Sequence, residues 1–383
     1  MILDISEKYI IFYLRLEVLS FGKLQKYLHF RSLNRTFAFE YPMRKPKEHK
    51  KRKTMKIVEM DGYAANPGDI GWEPWRNIEL PDGSKCEFVM YDRTAPELVV
   101  ERAKDADIVL TNKVVFSKEI MDSLPKLRYI GVLATGYNVV DTKAARDKGI
   151  VVTNIPAYST MSVAQLAIAH LLHIANNVAG HDEVVHKGAW SMNPDFSFQI
   201  SPQMELAGKT FGVIGLGNTG TATARIAASL GMKILAFSSK TETEMSALGI
   251  EGIRKAETLE ELFKESDVLS LHCPLTENTK HIINKETLSL MKSTAIILNT
   301  GRGPLIDEQA LADALKEGRI YAAGIDVLTE EPPRNGSPLL EVANCHITPH
   351  IAWATLAARQ RLMQIALENV KAFLRGEPQN MVQ

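Results

Sequence analysis

Cysteine is scarce in this chain: Cys86, Cys273 and Cys345 are the only three in 383 residues. They are far apart and show no C-x-x-C spacing, which argues against a zinc site or a redox pair and fits buried thiols in a reducing cytoplasm. Net charge is missing too, with 45 Lys and Arg against 45 Asp and Glu, so nothing marks nucleic acid or an anionic membrane as a partner. No run of about 18 uncharged apolar residues occurs, and no spanning helix is predicted. The early apolar segment Tyr9-Ile-Ile-Phe-Tyr-Leu14 is soon interrupted by Arg15 and Glu17 and lacks the parts of a signal peptide. What remains is a chain that is 45% hydrophobic and too long for one ordinary domain. Two domains are expected, each with its own core, in a cytoplasmic globular protein without a metal site.

Residues 1–54 differ from the rest: they hold nine of the 27 aromatic residues and end in a basic run from Arg44 to Lys53. We read them as an extension outside the main fold, with Met55 standing where an initiator would, and a basic interaction arm or an extra element of the fold as the alternatives. A chain begun at Met55 should fold and act normally.

From Met55 onward, apolar runs alternate with helical patterns. Runs at Lys56–Met60, Phe88–Tyr91, Ile108–Thr111, Tyr129–Leu133 and Val151–Thr153 are separated by helical patterns near Pro96–Lys104, Lys118–Leu124 and Thr142–Lys148, the signature of an α/β fold with a mainly parallel sheet. Ser162–Ala175 has no Asp, Glu, Lys or Arg and is apolar around most of its circumference, so burial on all sides is expected, in the core or at a subunit interface. His181 to Pro202 carries Trp190, Phe196 and Phe198 with little periodicity, which suits an arm wrapped on a second copy in a homodimer. Strands are also expected at Val268–Leu271, Ala295–Leu298, Ala322–Ile325 and Cys345–Ile347, Asp307 as a helix N-cap, and a closing helix over Leu356–Leu374.

The centre of the second half is Phe211-Gly-Val-Ile-Gly-Leu-Gly-Asn-Thr-Gly220, followed by an alanine-rich stretch and the apolar run to Phe237. Gly215, Gly217 and Gly220 have G-x-G-x-x-G spacing between a strand and a helix, and a second strand follows at βαβ distance. In such a unit the first glycine makes the tight turn, the second lets a pyrophosphate approach the backbone, and the third lets helix and strand pack closely. Leu216, Asn218 and Thr219 complete a turn whose N–H groups face the phosphates at a helix N-terminus. An Asp or Glu usually follows about 20 residues on, to meet the ribose 2′-hydroxyl of NAD. Here Ser238, Ser239 and Lys240 take that place, which favours the 2′-phosphate of NADP.

Three later strand ends carry reactive side chains. Asn299-Thr300-Gly301-Arg302-Gly303 presents a guanidinium between glycines, a fork suited to a carboxylate. Asp326 ends another strand, with Glu330-Glu331-Pro332 after it. Thr348-Pro349-His350-Ile351-Ala352-Trp353 ends the last. Reduction of a ketone needs a hydride at carbon and a proton at oxygen, and histidine titrates near neutrality. Arg302, Glu331 and His350 supply an anion fork, a carboxylate partner and an acid/base. In the first half, Thr135 and Gly136 follow a buried strand, where backbone N–H groups meet a small anion or merely close a turn.

These motifs, in this order from about Met55 to Arg375, resemble the D-isomer-specific 2-hydroxyacid dehydrogenases, and within them the glycerate dehydrogenase branch that reduces hydroxypyruvate and glyoxylate. The resemblance implies a Rossmann dinucleotide-binding domain (159–353) inserted into a flavodoxin-like substrate domain (55–158 and 354–383), the last helix returning to the first domain. It implies that NAD(P)H reduces a small 2-keto acid to the D-2-hydroxy acid. Arg302 would bind the carboxylate and carbonyl, His350 would be the acid/base tuned by Glu331, and Thr135 and Gly136 would donate N–H groups to the carboxylate. Along the cofactor it implies His272, Cys273 and Pro274 on the adenosine side and Asp326 at the nicotinamide carboxamide, with Thr279, Thr300, Gly301, His350 and Ala352 also binding it. A dinucleotide-sensing corepressor on the same fold is the alternative reading.

Overall fold

A computed structural model describes residues 54–382. The reading of the N-terminal extension falls on residues 1–53 and lies outside the described residues. Two parallel sheets organise the rest. The first contains β1 (Lys56–Glu59), β2 (Glu87–Met90), β3 (Ile108–Thr111), β4 (Tyr129–Val132) and β5 (Val151–Thr153), in the order β2-β1-β3-β4-β5. The second contains β6 (Thr210–Ile214), β7 (Lys233–Phe237), β8 (Arg254–Lys255), β9 (Val268–Leu271), β10 (Ile296–Asn299), β11 (Ala322–Ile325) and β12 (Cys345–Ile347), in the order β12-β11-β10-β9-β6-β7-β8. The first order is flavodoxin-like and the second is a Rossmann sheet with one added strand, and both are doubly wound.

Chemistry of the side chains explains the layering. β3, β4, β9 and β10 are buried along their whole length, as strands covered by helices on both faces must be. Each sheet has a separate apolar core on each face. Five helices of nine or more residues matter below: α1 (Thr160–Asn176), α2 (Val178–His186), α3 (Asn218–Ser229), α4 (Glu308–Lys316) and α5 (Leu356–Leu374). Asp307 caps α4, accepting the Ala310 N–H at 3.1 Å, as its position before an apolar pattern predicts. α5 returns to the first sheet: Ala358, Leu362, Met363, Ala366 and Val370 pack with Ile57, Ile108, Leu110 and Tyr129. Arg359 fixes that return with two bonds of 2.6 Å to Asp69.

Two expectations need correction. α1 is buried on one side only: Ala164, Ala167, Leu171 and Ala175 are covered, whereas Met161 is 58% and Leu172 39% exposed. The absence of charge reports the whole circumference, while the single chain covers only the face turned to α3 and the second sheet. The stretch after it is also more regular than its composition suggests, since Val178–His186 is helical. Beyond α2 the chain leaves Trp190, Met192 and Phe196 largely exposed. Among the described residues no helix is long and apolar enough to cross a membrane.

Candidate active site

In open α/β sheets ligands collect where strand order reverses, at the carboxyl ends of the strands. In the second sheet that point lies between β6 and β9, and the glycine turn leaves β6 there. Each glycine answers a different steric demand. Gly215 has φ +93°, and a Cβ on it would lie 2.8 Å from the Cys273 amide, so a side chain is excluded by conformation and by space. A Cβ on Gly220 would fall 2.0 Å from the Gly215 carbonyl oxygen. Gly217 is the opposite case, with nothing within 4 Å, which leaves open space in front of the first turn of α3 and its unpaired N–H groups.

Across the reversal, His272 and Cys273 follow β9. The His272 ring bonds to Ser270 at 2.9 Å, and burial pushes the imidazole down to about 4. Thr279 closes the loop by donating to the Pro274 carbonyl at 2.7 Å. At the far end of β7, the Lys240 N–H donates to Ser238 at 3.2 Å, and Ser239 is exposed. Thr300 after β10 has a buried hydroxyl without a hydrogen-bond partner, an arrangement that a folded chain avoids unless a ligand supplies the partner.

Arg302 stands two residues beyond Thr300. Asn299 holds this turn from both sides, donating to the Arg302 carbonyl at 2.9 Å and accepting the Gly301 N–H at 3.0 Å. Gly303 is needed for packing: a Cβ there would lie 2.0 Å from the Leu328 carbonyl carbon. The guanidinium reaches across to the first sheet, where a Cβ on Gly136 would come within 2.7 Å of its Nη2. The N–H groups of Thr135 and Gly136 make no hydrogen bond to a described residue, while the Thr135 hydroxyl donates to the Ile155 carbonyl at 2.9 Å.

His350 follows β12 with φ +54°, an uncommon conformation outside glycine. It is stabilised because its N–H donates to the Asp326 carbonyl at 2.8 Å and that of Thr348 at 2.9 Å. The Asp326 carboxylate, at the end of β11, accepts from the Thr348 hydroxyl at 2.6 Å and from the N–H groups of Ile351 and Ala352, each at 2.9 Å. Burial raises its carboxyl above the ordinary value, against those donors and the His350 charge. A second carboxylate meets the ring itself: Glu331 Oε2 is 2.6 Å from His350 Nδ1, while Oε1 accepts the Leu328 N–H at 2.9 Å. Burial opposes ionisation of Glu331, but the His350 hydrogen bond and charge, the Leu328 N–H and the charge of Lys113 together hold it below its ordinary value.

One cleft of about 400 Å³ is lined by Thr135, Gly136, Thr300, Arg302, Glu331, His350 and Ala352. The glycine turn, Ser238 to Lys240 and His272 to Pro274 lie outside its walls, along the second sheet's strand ends. Asp326 is buried behind His350 rather than facing the cleft. Sequence reasoning missed Asn112, Lys113, Tyr158 and Trp353, which also line it. Burial pushes the Tyr158 hydroxyl up to about 12, against the pull of a bond to Ser159 and the Arg302 charge. The signal for Lys113 was present, a cation just past a buried strand of the first sheet. No group of His, Cys, Asp and Glu among the described residues could hold a metal ion.

Residues 168–352 match the family model for the NAD binding domain of D-isomer specific 2-hydroxyacid dehydrogenases. A hydroxypyruvate reductase from Blautia hydrogenotrophica is 49% identical over 331 residues, covering 86% of this chain and 99% of that protein. A glycerate dehydrogenase from Methylorubrum extorquens is 39% identical, covering 78% of this chain and 92% of that protein. Among solved structures, an acyclic imino acid reductase in complex with NADPH and D-Arg superposes with a TM-score of 0.71 at 31% identity, over 86% of this chain and all of that one. A D-lactate dehydrogenase from Aquifex aeolicus complexed with NAD and lactic acid gives 0.70 at 29%, over 84% and 96%.

Proposed function

The chain belongs to the D-isomer specific 2-hydroxyacid dehydrogenase family, and from that premise we propose that it reduces hydroxypyruvate and glyoxylate with a nicotinamide dinucleotide. The observation that carries this reading is the Glu331–His350 pair at 2.6 Å in one cleft with the Arg302 guanidinium. The residues present fit the cofactor: Gly217 leaves open space before the N–H groups of α3, and Thr300 has a buried hydroxyl in need of a partner. When bound, the reduced cofactor supplies the hydride.

The chain supplies charge, orientation and a proton. Arg302, with the N–H groups of Thr135 and Gly136, holds the substrate carboxylate, and a planar fork also polarises the adjacent carbonyl. Glu331 occupies His350 Nδ1, which leaves Nε2 to face the substrate. As C2 accepts the hydride, the carbonyl π electrons move to oxygen and His350 Nε2 gives that oxygen its proton. The product is the 2-hydroxy acid, in the D form where C2 is chiral. Asp326 acts through the backbone of residues 350–352 and has its place behind the ring.

In this reading the segments 55–158 and 354–383 bind substrate and 159–353 binds the dinucleotide. NADP is the preferred form, because Ser238, Ser239 and Lys240 offer two hydroxyls and a cation where a carboxylate would repel a 2′-phosphate. The exposed Trp190, Met192 and Phe196 support a homodimer built on the segment after α2. Steady-state turnover of hydroxypyruvate, glyoxylate and pyruvate with NADH and NADPH in parallel tests the whole. The expected result is turnover of the first two acids, faster with NADPH; no turnover of any acid with either cofactor sinks the reading.

A further inference from the structure

The loop that leaves β3 is fixed at its backbone and free at one side chain. Three successive N–H groups, of Asn112, Lys113 and Val114, donate to the buried carboxylate of Asp61 at 2.7, 2.5 and 3.2 Å. The Asn112 side chain adds a bond of 2.6 Å to the Leu133 carbonyl. With its backbone held on both sides, Lys113 has a defined origin on the wall of the cleft that Arg302, Glu331 and His350 also line. Its ammonium is exposed and makes no hydrogen bond or ion pair to a described residue. It is near enough to Glu331 to favour that carboxylate's ionised form.

A three-carbon substrate with a C3 hydroxyl brings three polar groups into this cleft. The carboxylate has Arg302 and the N–H groups of Thr135 and Gly136, and the ketone oxygen has His350 and Arg302. The C3 hydroxyl has no partner among these, and an ammonium carries three donors and no acceptor. We propose that Lys113 is a specificity-determining residue, donating a hydrogen bond to the substrate's C3 hydroxyl and so selecting 3-hydroxy-2-keto acids over 2-keto acids that lack it. The assignment deepens the reading given under Proposed function and rests on it. It also accounts for a cation that the hydride and proton transfers do not use.

The test is a ratio of rates in the full chain. For wild type, Lys113→Met and Lys113→Arg, kcat/KM is measured for hydroxypyruvate, glyoxylate and pyruvate with one cofactor. Losing a charged hydrogen bond to substrate lowers the hydroxypyruvate-to-glyoxylate and hydroxypyruvate-to-pyruvate ratios in Lys113→Met about tenfold to a hundredfold. Lys113→Arg restores most of both ratios. Any general loss through the field at Glu331 affects all three acids and cancels. Ratios that stay within about twofold of wild type in Lys113→Met, in an enzyme that turns over these acids, overturn the role of Lys113 alone. A wild type inactive on all three overturns both this assignment and the reading beneath it.

Discussion

Both sheets use the same device at the cleft, with different cargo. In the first, Asp61 just past β1 accepts three N–H groups from the loop after β3, its neighbour in the sheet. In the second, Asp326 just past β11 accepts two N–H groups and a hydroxyl from the loop after β12, its neighbour there. In a parallel sheet adjacent strands end side by side, so a carboxylate at one end reaches the N–H groups that the next loop leaves unpaired. The Asp326 loop delivers a histidine that is itself engaged by Glu331. The Asp61 loop delivers a lysine whose ammonium makes no hydrogen bond or ion pair to a described residue. One lobe therefore presents an imidazole already paired with a carboxylate, and the other presents donors that no described residue engages.

The contrast is broken most severely at the acid/base. His350→Ala should lower kcat by about 10²- to 10⁴-fold, and Arg302→Ala should cost as much in kcat/KM, with far-ultraviolet dichroism and melting temperature close to wild type. Near-normal turnover in either variant refutes the roles given to these side chains.

Glycines come next, because the lobes tolerate a methyl group differently. Gly303→Ala meets backbone, the Leu328 carbonyl carbon at 2.0 Å, and should destabilise the protein by about 1–3 kcal/mol, the range of overpacking strain. Gly136→Ala meets only the movable end of Arg302, at 2.7 Å. It should leave the melting temperature nearly unchanged while KM rises about tenfold. Equal loss of stability in the two variants would show that the cleft is equally rigid on both sides.

The two aspartates separate kinetically. Asp326→Ala frees the loop that aims His350, and a misplacement of about 1 Å can cost up to 10²-fold in kcat. Asp61→Ala frees the Lys113 loop, so KM for hydroxypyruvate rises several-fold while kcat falls less. Both leave N–H groups without an acceptor, a cost of about 1–3 kcal/mol for each group that stays buried.

Legibility in the sequence follows the same division. The strand ends of the second sheet were readable because their chemistry is local: glycines forced by a turn or by contact with backbone, an arginine between them, a histidine after a proline. The steric reasons for Gly215 and Gly220 follow from spacing alone. Asp61 and Lys113 were not readable together because they are 52 positions apart and meet through strand pairing. Asp326 is legible as a strand-end carboxylate, but the bonds it accepts from the Thr348 hydroxyl and the Ile351 and Ala352 N–H groups are not, because they depend on the pairing of β11 with β12. The exposed half of α1 was hidden for a related reason: composition marks an apolar face without saying what covers it.

The smallest predicted effect concerns acid, and it has opposite signs in the two lobes. Every histidine between Met55 and the C-terminus lies within residues 159–353. His170, whose ring bonds Thr348 behind Asp326 at 3.0 Å, is held down to about 4 by burial and by the neighbouring His346 and His173, and His272 is likewise down to about 4 by burial. In the unfolded chain a histidine takes up its proton near 6.5. Between pH 6.5 and 4 the unfolded state therefore binds protons that the native state refuses, so stability present above pH 6.5 is lost as pH falls, on the order of 1–2 kcal/mol per ring. In the first lobe, burial and the charge of Asp61 push the Glu59 carboxyl well above its ordinary value, and one of its oxygens has no partner. There the native state holds a proton that the unfolded chain has released, so lowering the pH toward that ordinary value strengthens the lobe. Hydrogen exchange at pH 7 and pH 5, corrected for the intrinsic rate, should show protection falling around α1, β9 and β12 and holding or rising around β1 and β3. His170→Gln should flatten the first trend and Glu59→Gln the second, and a uniform response across both sheets would mean that the two lobes unfold as one unit in acid.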